Sequence, residues 1–179
     1  MSRTPIADAV TSVEESTEAA FATVALSYAS SDGGAEPVSN EAQAFANDAG
    51  TGELFAIQSS QLALGRLSNA TLKVLAQRIS DAHGMAMDEL KAAAAAATNV
   101  TAPTELDQAG ADSVARLRAA DDAAFNALYV ELEASSHVEA VAQFSGYAAT
   151  ASPGPLKDFA ARTVPMLEQH LAELRSFTV

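Results

Sequence analysis

An all-α fold follows from three observations: a four-helix bundle with an extra amphipathic helix at its N-terminus and a short helix between its second and third long helices. Of the 179 residues 49 % are hydrophobic, yet tryptophan is absent and aromatics make up only 6 %. Alanine dominates the apolar content, and it is the residue that loses least on entering a helix. Apolar positions recur at steps of three and four over long stretches instead of alternating. Capping and helix-breaking residues punctuate those stretches at regular intervals.

The first stretch covers residues 4–29, where Thr4 can cap, Pro5 suits the first helical position, and Ile6, Val10, Val13, Phe21, Val24 and Tyr28 keep helical spacing. Residues 1–30 form this amphipathic segment, and Ser30 to Pro37 break it, so residues 31–39 read as a linker. Residues 40–179 then form the bundle. Asn40 followed by Gln43 resembles a capping box opening a first long helix to about Leu67. Asn69 caps a second, reaching about Ala97. A loop from Thr98 to Pro103 follows, and Thr104 with Asp107 opens a shorter helix to about Arg118. A third long helix runs from about Asp121 to Ala149, and Ser152-Pro153-Gly154-Pro155 turns the chain into the last, ending near Phe177. Pro165 lies inside that last helix and is expected to kink it. Long helices of similar length joined by short connections make a four-helix bundle.

Charge and cysteine content narrow the function. A formal net charge of −13 disfavours a nucleic-acid partner, which needs a basic surface, and a polybasic membrane anchor. With no cysteine, disulfides, thiolate catalysis and cysteine-based metal sites are excluded. No apolar run approaches the roughly 20 residues of a membrane span, so no transmembrane segment is expected. Glu14, Glu15 and Glu18 interrupt the place where the apolar region of a secretory signal would lie, so no signal peptide is expected in this chain.

The three histidines carry the one hint of chemistry. His83 falls in register with Leu72, Leu75, Ile79 and Leu90; His137 with Tyr129, Val130, Glu133, Val141 and Phe144; His170 with Leu156, Phe159, Leu167 and Leu174. Each therefore points to the core from a different long helix. A buried imidazole must satisfy both ring nitrogens, and Glu133, Asp81, Asn126, Tyr129 and Gln169 are the candidate partners. Two readings compete. In one, the imidazoles converge on a transition metal, with Glu133 completing the set. In the other, each is a satisfied core group that fixes helix register, and no cofactor is expected. Ser80, Ala134 and Leu167 stand three residues before the histidines, so no Glu-x-x-His pair of the di-iron carboxylate kind exists. Phosphate loops, His-Glu-x-x-His and Gly-x-Ser-x-Gly motifs are absent too, and no catalytic residue is assigned.

The stretch from Phe45 to Leu174 resembles the domain-of-unknown-function family 4142. The resemblance rests on Leu72-Lys73-Val74-Leu75-Ala76-Gln77-Arg78 leading to His83, on Asp88-Glu89-Leu90-Lys91, and on Phe125-Asn126-Ala127-Leu128-Tyr129 before His137. It rests also on Leu156-Lys157-Asp158-Phe159-Ala160 leading to Val164-Pro165-Met166-Leu167-Glu168-Gln169-His170. It implies a bacterial ferritin-like bundle, often exported, and hence a periplasmic or other extracytoplasmic location, while the expected lack of a signal peptide in this chain leaves a cytoplasmic one open. It also implies acidic neighbours for the histidines, where this chain has Ala56, Ala82 and Asn126. The expectation is therefore a non-enzymatic binding or structural protein of the cell envelope with a histidine cluster poor in acids. The alternative is a metal-binding bundle using His83, His137 and His170 for storage or redox chemistry. The N-terminal helix is a candidate homo-oligomer interface.

Overall fold

The computed structural model describes residues 36–177. The amphipathic helix expected over residues 4–29, with its proposed oligomer interface, lies outside the described residues. Five helices follow: α1 (Glu36–Leu64), α2 (Ala70–Ala96), α3 (Gln108–Ala119), α4 (Asp122–Thr150) and α5 (Pro155–Arg175). Among the described residues there is no strand.

Local chemistry explains most of the boundaries. Asn69, Asp107 and Asp121 each take extended backbone and accept a hydrogen bond from the backbone N–H three residues on, at 3.0, 2.8 and 2.8 Å. Asp107 alone caps α3, so this helix opens later than a start at Thr104 would place it. Pro155 occupies the first turn of α5, where its missing N–H has no helical partner to lose. The helix continues through Pro165 to Arg175. At the other end, α1 begins at Glu36, a turn before Asn40, and shortens the expected linker. Gln43 is thus no capping residue. Its side chain clamps the 98–107 connection, accepting from Thr101 N–H and donating to Thr101 C=O, both at 2.9 Å.

Short turns make α1 and α2 one antiparallel hairpin, and α4 and α5 another; α2 packs on α5 and α1 on α4, while α3 covers α1 and α4. Two apolar clusters fix the direction of each helix. One gathers Phe45 and Ala49 of α1, Met87 and Leu90 of α2, Phe144 of α4, and Phe159 and Leu167 of α5. The other gathers Ala56 and Ala63 of α1, Leu72 and Ile79 of α2, Phe125 and Tyr129 of α4, and Leu174 of α5. Helices α1 and α5 thus run from the first cluster to the second, and α2 and α4 run back. The connection through α3 crosses the bundle lengthwise, with Val100 in the first cluster and Leu117 in the second. Every neighbouring pair of long helices is antiparallel.

Two contacts hold that crossover in place. A Cβ on Gly50 would lie 2.4 Å from Cδ of Pro103, so the absence of a side chain lets the connection lie against α1. At the far end the Arg66 guanidinium sits 4.2 Å from the Phe125 ring centroid, and donates to Ala120 C=O at 2.7 Å and Arg118 C=O at 3.1 Å. It thereby satisfies carbonyls at the end of α3 that have no helical donor.

Candidate metal centre

Between the two apolar clusters lies a single polar layer to which all four long helices contribute. Reading along α1, the apolar stripe of Phe45, Ala49, Ala56 and Ala63 is broken at Glu53; along α2 it is broken at His83. On α4 the break falls at Glu133 and His137, and on α5 at His170. The three histidines are 1–3 % exposed, Glu53 is 2 % and Glu133 is 0 % exposed. Burying a side chain such as Leu90, Phe125 or Phe159 contributes about 1.5–3 kcal/mol. Contributions of that kind, above and below, offset the cost of taking ionisable groups out of water, which is several kcal/mol for each ion.

The expected convergence of the histidines is present. One ring nitrogen from each of His83, His137 and His170 lies within 4.8 Å of the other two. The ring centroids stand 5.1, 5.5 and 5.6 Å apart. The Nε2 atoms of His83 and His137 are 3.2 Å apart. Two nitrogens bound to one tetrahedral zinc-type ion at 2.0–2.1 Å would be separated by about 3.3 Å. That pair is therefore already at ligand spacing, and His170 needs only a small side-chain movement to join it.

The far side of each ring decides which nitrogen is free. His137 Nδ1–H donates to the Glu133 backbone carbonyl at 2.8 Å, which leaves its Nε2 with a lone pair. His83 Nδ1 is 2.5 Å from Glu53 Oε2, so a carboxylate accepts that proton and turns the His83 Nε2 lone pair inward as well. Two lone pairs facing each other at 3.2 Å repel unless a proton or a cation stands between them. An outer carboxylate and an outer carbonyl on ligand imidazoles are the arrangement that fixes rings at metal centres.

Protonation follows the same environment. Burial pushes His83 down, but the Glu53 carboxylate beside it reverses that, with help from Glu133, and its pKa stands above the ordinary histidine value. Burial and the charge on His83 hold His137 down to about 3. The same two causes, with Arg78 beyond them, hold His170 down to about 4, against a smaller opposite pull from Glu173. Burial raises the Glu133 carboxyl to about 7, although the Ser59 hydroxyl and His83 oppose the shift. Burial likewise raises the Tyr129 phenol, whose OH pairs with Ser60 Oγ at 2.8 Å.

The expected partners divide. Glu133 lies behind His137, with Oε1 bonded to Ser59 Oγ and Oε2 3.5 Å from His137 Nδ1, outside the set of converging donor atoms. Asp81 is exposed and bonded to Gln77, Gln169 is exposed and bonded to Glu173, and Asn126 bonds to Ser68 at the α1–α2 turn. None of these three meets a histidine. The expected poverty in acids is corrected by Glu53, one turn before Ala56, which the sequence reading passed over. The signal was available: Glu53 keeps the spacing of Phe45, Ala49, Ala56 and Ser60, so a carboxylate on that stripe is bound for the core. Two buried atoms in the layer have no hydrogen-bond partner among the described residues, His170 Nδ1 and Glu133 Oε2. Buried polar atoms without a partner are rare in a folded core, and each needs a physical reason.

Comparison with known proteins gives one match. The model of a family described as a domain of unknown function, DUF4142, matches residues 27–177. No curated protein and no solved structure matches the chain.

Proposed function

The chain belongs to the DUF4142 family, and we propose that this member is a metal-binding bundle whose His83, His137 and His170 together hold one first-row transition ion. The observation that carries this reading is the convergence of three buried ring nitrogens, one from each of three helices, within 4.8 Å. An all-imidazole set suits zinc, copper, nickel or iron and ill suits magnesium or calcium, which take oxygen ligands. The outer bonds to Glu53 and to the Glu133 carbonyl support the same reading, since they present the inward lone pairs. One long crossover between two helical hairpins is the plan of ferritin-like bundles, which build metal sites between facing helices. Without a Glu-x-x-His pair, a di-iron carboxylate centre is not what this donor set would form. The extracytoplasmic setting implied by the family resemblance belongs to the same proposal.

A second reading is favoured by the His83–His137 contact itself: a shared proton satisfies those two nitrogens without any metal. The bundle would then be a structural or binding protein whose histidines set register. That reading leaves the third imidazole, His170, with an unpaired Nδ1 beside the pair and no role in it. Elemental analysis of protein purified without an affinity tag, followed by metal titration of the His137→Ala variant, separates the two. The metal reading expects one ion per chain. It also expects an affinity loss in the variant beyond the roughly 100-fold that losing an outer partner costs. A metal-free protein with no histidine-dependent affinity would reject it.

A further inference from the structure

The three imidazoles supply three donors, and no fourth joins them among the described residues. Glu133 is turned toward the outer nitrogen of His137, and Glu53 toward the outer nitrogen of His83. Four protein ligands seal a structural metal site, whereas three leave a coordination position to a small exogenous ligand. A half-enclosed cleft of about 630 Å³ shows where that position would face. Its walls come chiefly from α1, α3 and α4, and its lining includes the buried His83 and His137 but not His170.

The lining also selects what could enter. It includes the carboxylates of Asp48, Glu53, Asp107 and Glu139 and neither lysine nor arginine. Such a one-signed field draws cations in and opposes anions. Gly52 lines the cleft, and a Cβ built there would meet no atom within 4 Å, so its missing side chain adds to the opening. Ser136, half-buried and directly before His137 on α4, also lines the cleft and offers a hydroxyl to an uncharged polar molecule.

Resting on the metal reading above, we propose that the three-histidine centre is open on its His83–His137 side and takes a small uncharged ligand, of the size of water or imidazole, through this cleft. The metal enters by the same acid-lined route. Anions of similar size are disfavoured by the lining carboxylates rather than by space.

Cobalt(II) makes the proposal measurable, because its visible spectrum responds to coordination number. The full chain is loaded with one cobalt ion and titrated with imidazole and, separately, with azide. Imidazole is expected to change the spectrum saturably. Gly52→Leu and Ser136→Leu, which fill the cleft, are expected to weaken imidazole binding at least tenfold while cobalt affinity changes less than threefold. Neutralising the mouth with Asp48→Asn and Glu139→Gln together is expected to strengthen azide binding severalfold and leave imidazole within twofold. A cobalt spectrum indifferent to both probes would show a closed centre and overturn the proposal. So would imidazole binding unaffected by either leucine variant, or azide binding unaffected by the double variant. If no cobalt binds with histidine dependence, the metal reading falls first, and this inference with it.

Discussion

Glu53 shows how one residue governs a neighbour's chemistry. Its carboxylate takes the outer proton of His83 and, by its charge, overcomes the effect of burial on that ring. Glu53→Gln retains an acceptor oxygen and removes the charge. Metal affinity is expected to fall about 10- to 100-fold, the usual consequence of losing an outer partner, with helical content unchanged. The His83 resonance, followed by NMR in the metal-free protein, is expected to titrate at lower pH than in the parent. An unchanged affinity would mean that Glu53 serves packing alone. The histidines were legible in the sequence because each keeps the period of its apolar stripe. Glu53 keeps that period just as well, but a carboxylate on an apolar face is more readily credited to an exposed edge than to a partner 30 residues away.

At the scale of the element, the connection from α2 to α4 is held by contacts that no local pattern announces. Its anchor is the touch of Gly50 against Pro103, together with the Gln43 clamp on Thr101. Gly50→Ala would gain helix propensity at an exposed site, by about 1 kcal/mol. Here the added methyl would meet a rigid proline ring at 2.4 Å, so a net destabilisation of about 1–3 kcal/mol is expected from urea unfolding. A stabilised variant would show that the connection is free to move aside. Helix caps illustrate the same limit of local reading. Asn69 caps where the sequence suggested, and Asp121 caps at the expected start of the third long helix. At Thr104 and Asp107 two acceptors lie close together, and only the tertiary placement of α3 chooses the second. Gln43 fits a capping box by spacing, yet a longer helix at Glu36 releases it for the loop.

For the whole molecule, the polar layer gives the metal-free bundle a defined pH dependence. His137 and His170 are held near 3 and 4, so below about pH 6.5 the unfolded chain takes up protons that the folded one refuses. Glu133, raised to about 7, acts in the opposite sense between there and its ordinary value near 4.5. Between about pH 6.5 and 4.5 the unfolded state therefore holds about one more proton, and these groups cost about 1.4 kcal/mol of stability per unit of acidification. Above pH 6.5 the signs reverse. His83, whose folded pKa is raised, contributes stability that is lost as pH rises through that value, while Glu133 becomes ionised in the core. Chelator-treated protein is expected to be most stable near pH 6.5, as measured by urea unfolding across pH 4.5–8, and the replacement His170→Gln should flatten the acid limb. A featureless profile would show that the layer is well hydrated. The all-helical architecture was legible from alanine content, period and punctuation. The path of the crossover was not, because the return of α4 alongside α1 depends on which faces pair, and periodicity marks a face without naming its partner.

The separation of the apolar interior into two clusters has a consequence for how such a chain can diverge. Within either cluster, substitutions that conserve volume can be absorbed by repacking among nearby apolar side chains. Loss of one member of the layer between them leaves a polar group stranded on another helix. Drift is thereby confined to two independently variable compartments, while Glu53, His83, Glu133, His137 and His170 can change only in concert. Relatives that share little else would be expected to keep this set together or to lose it together.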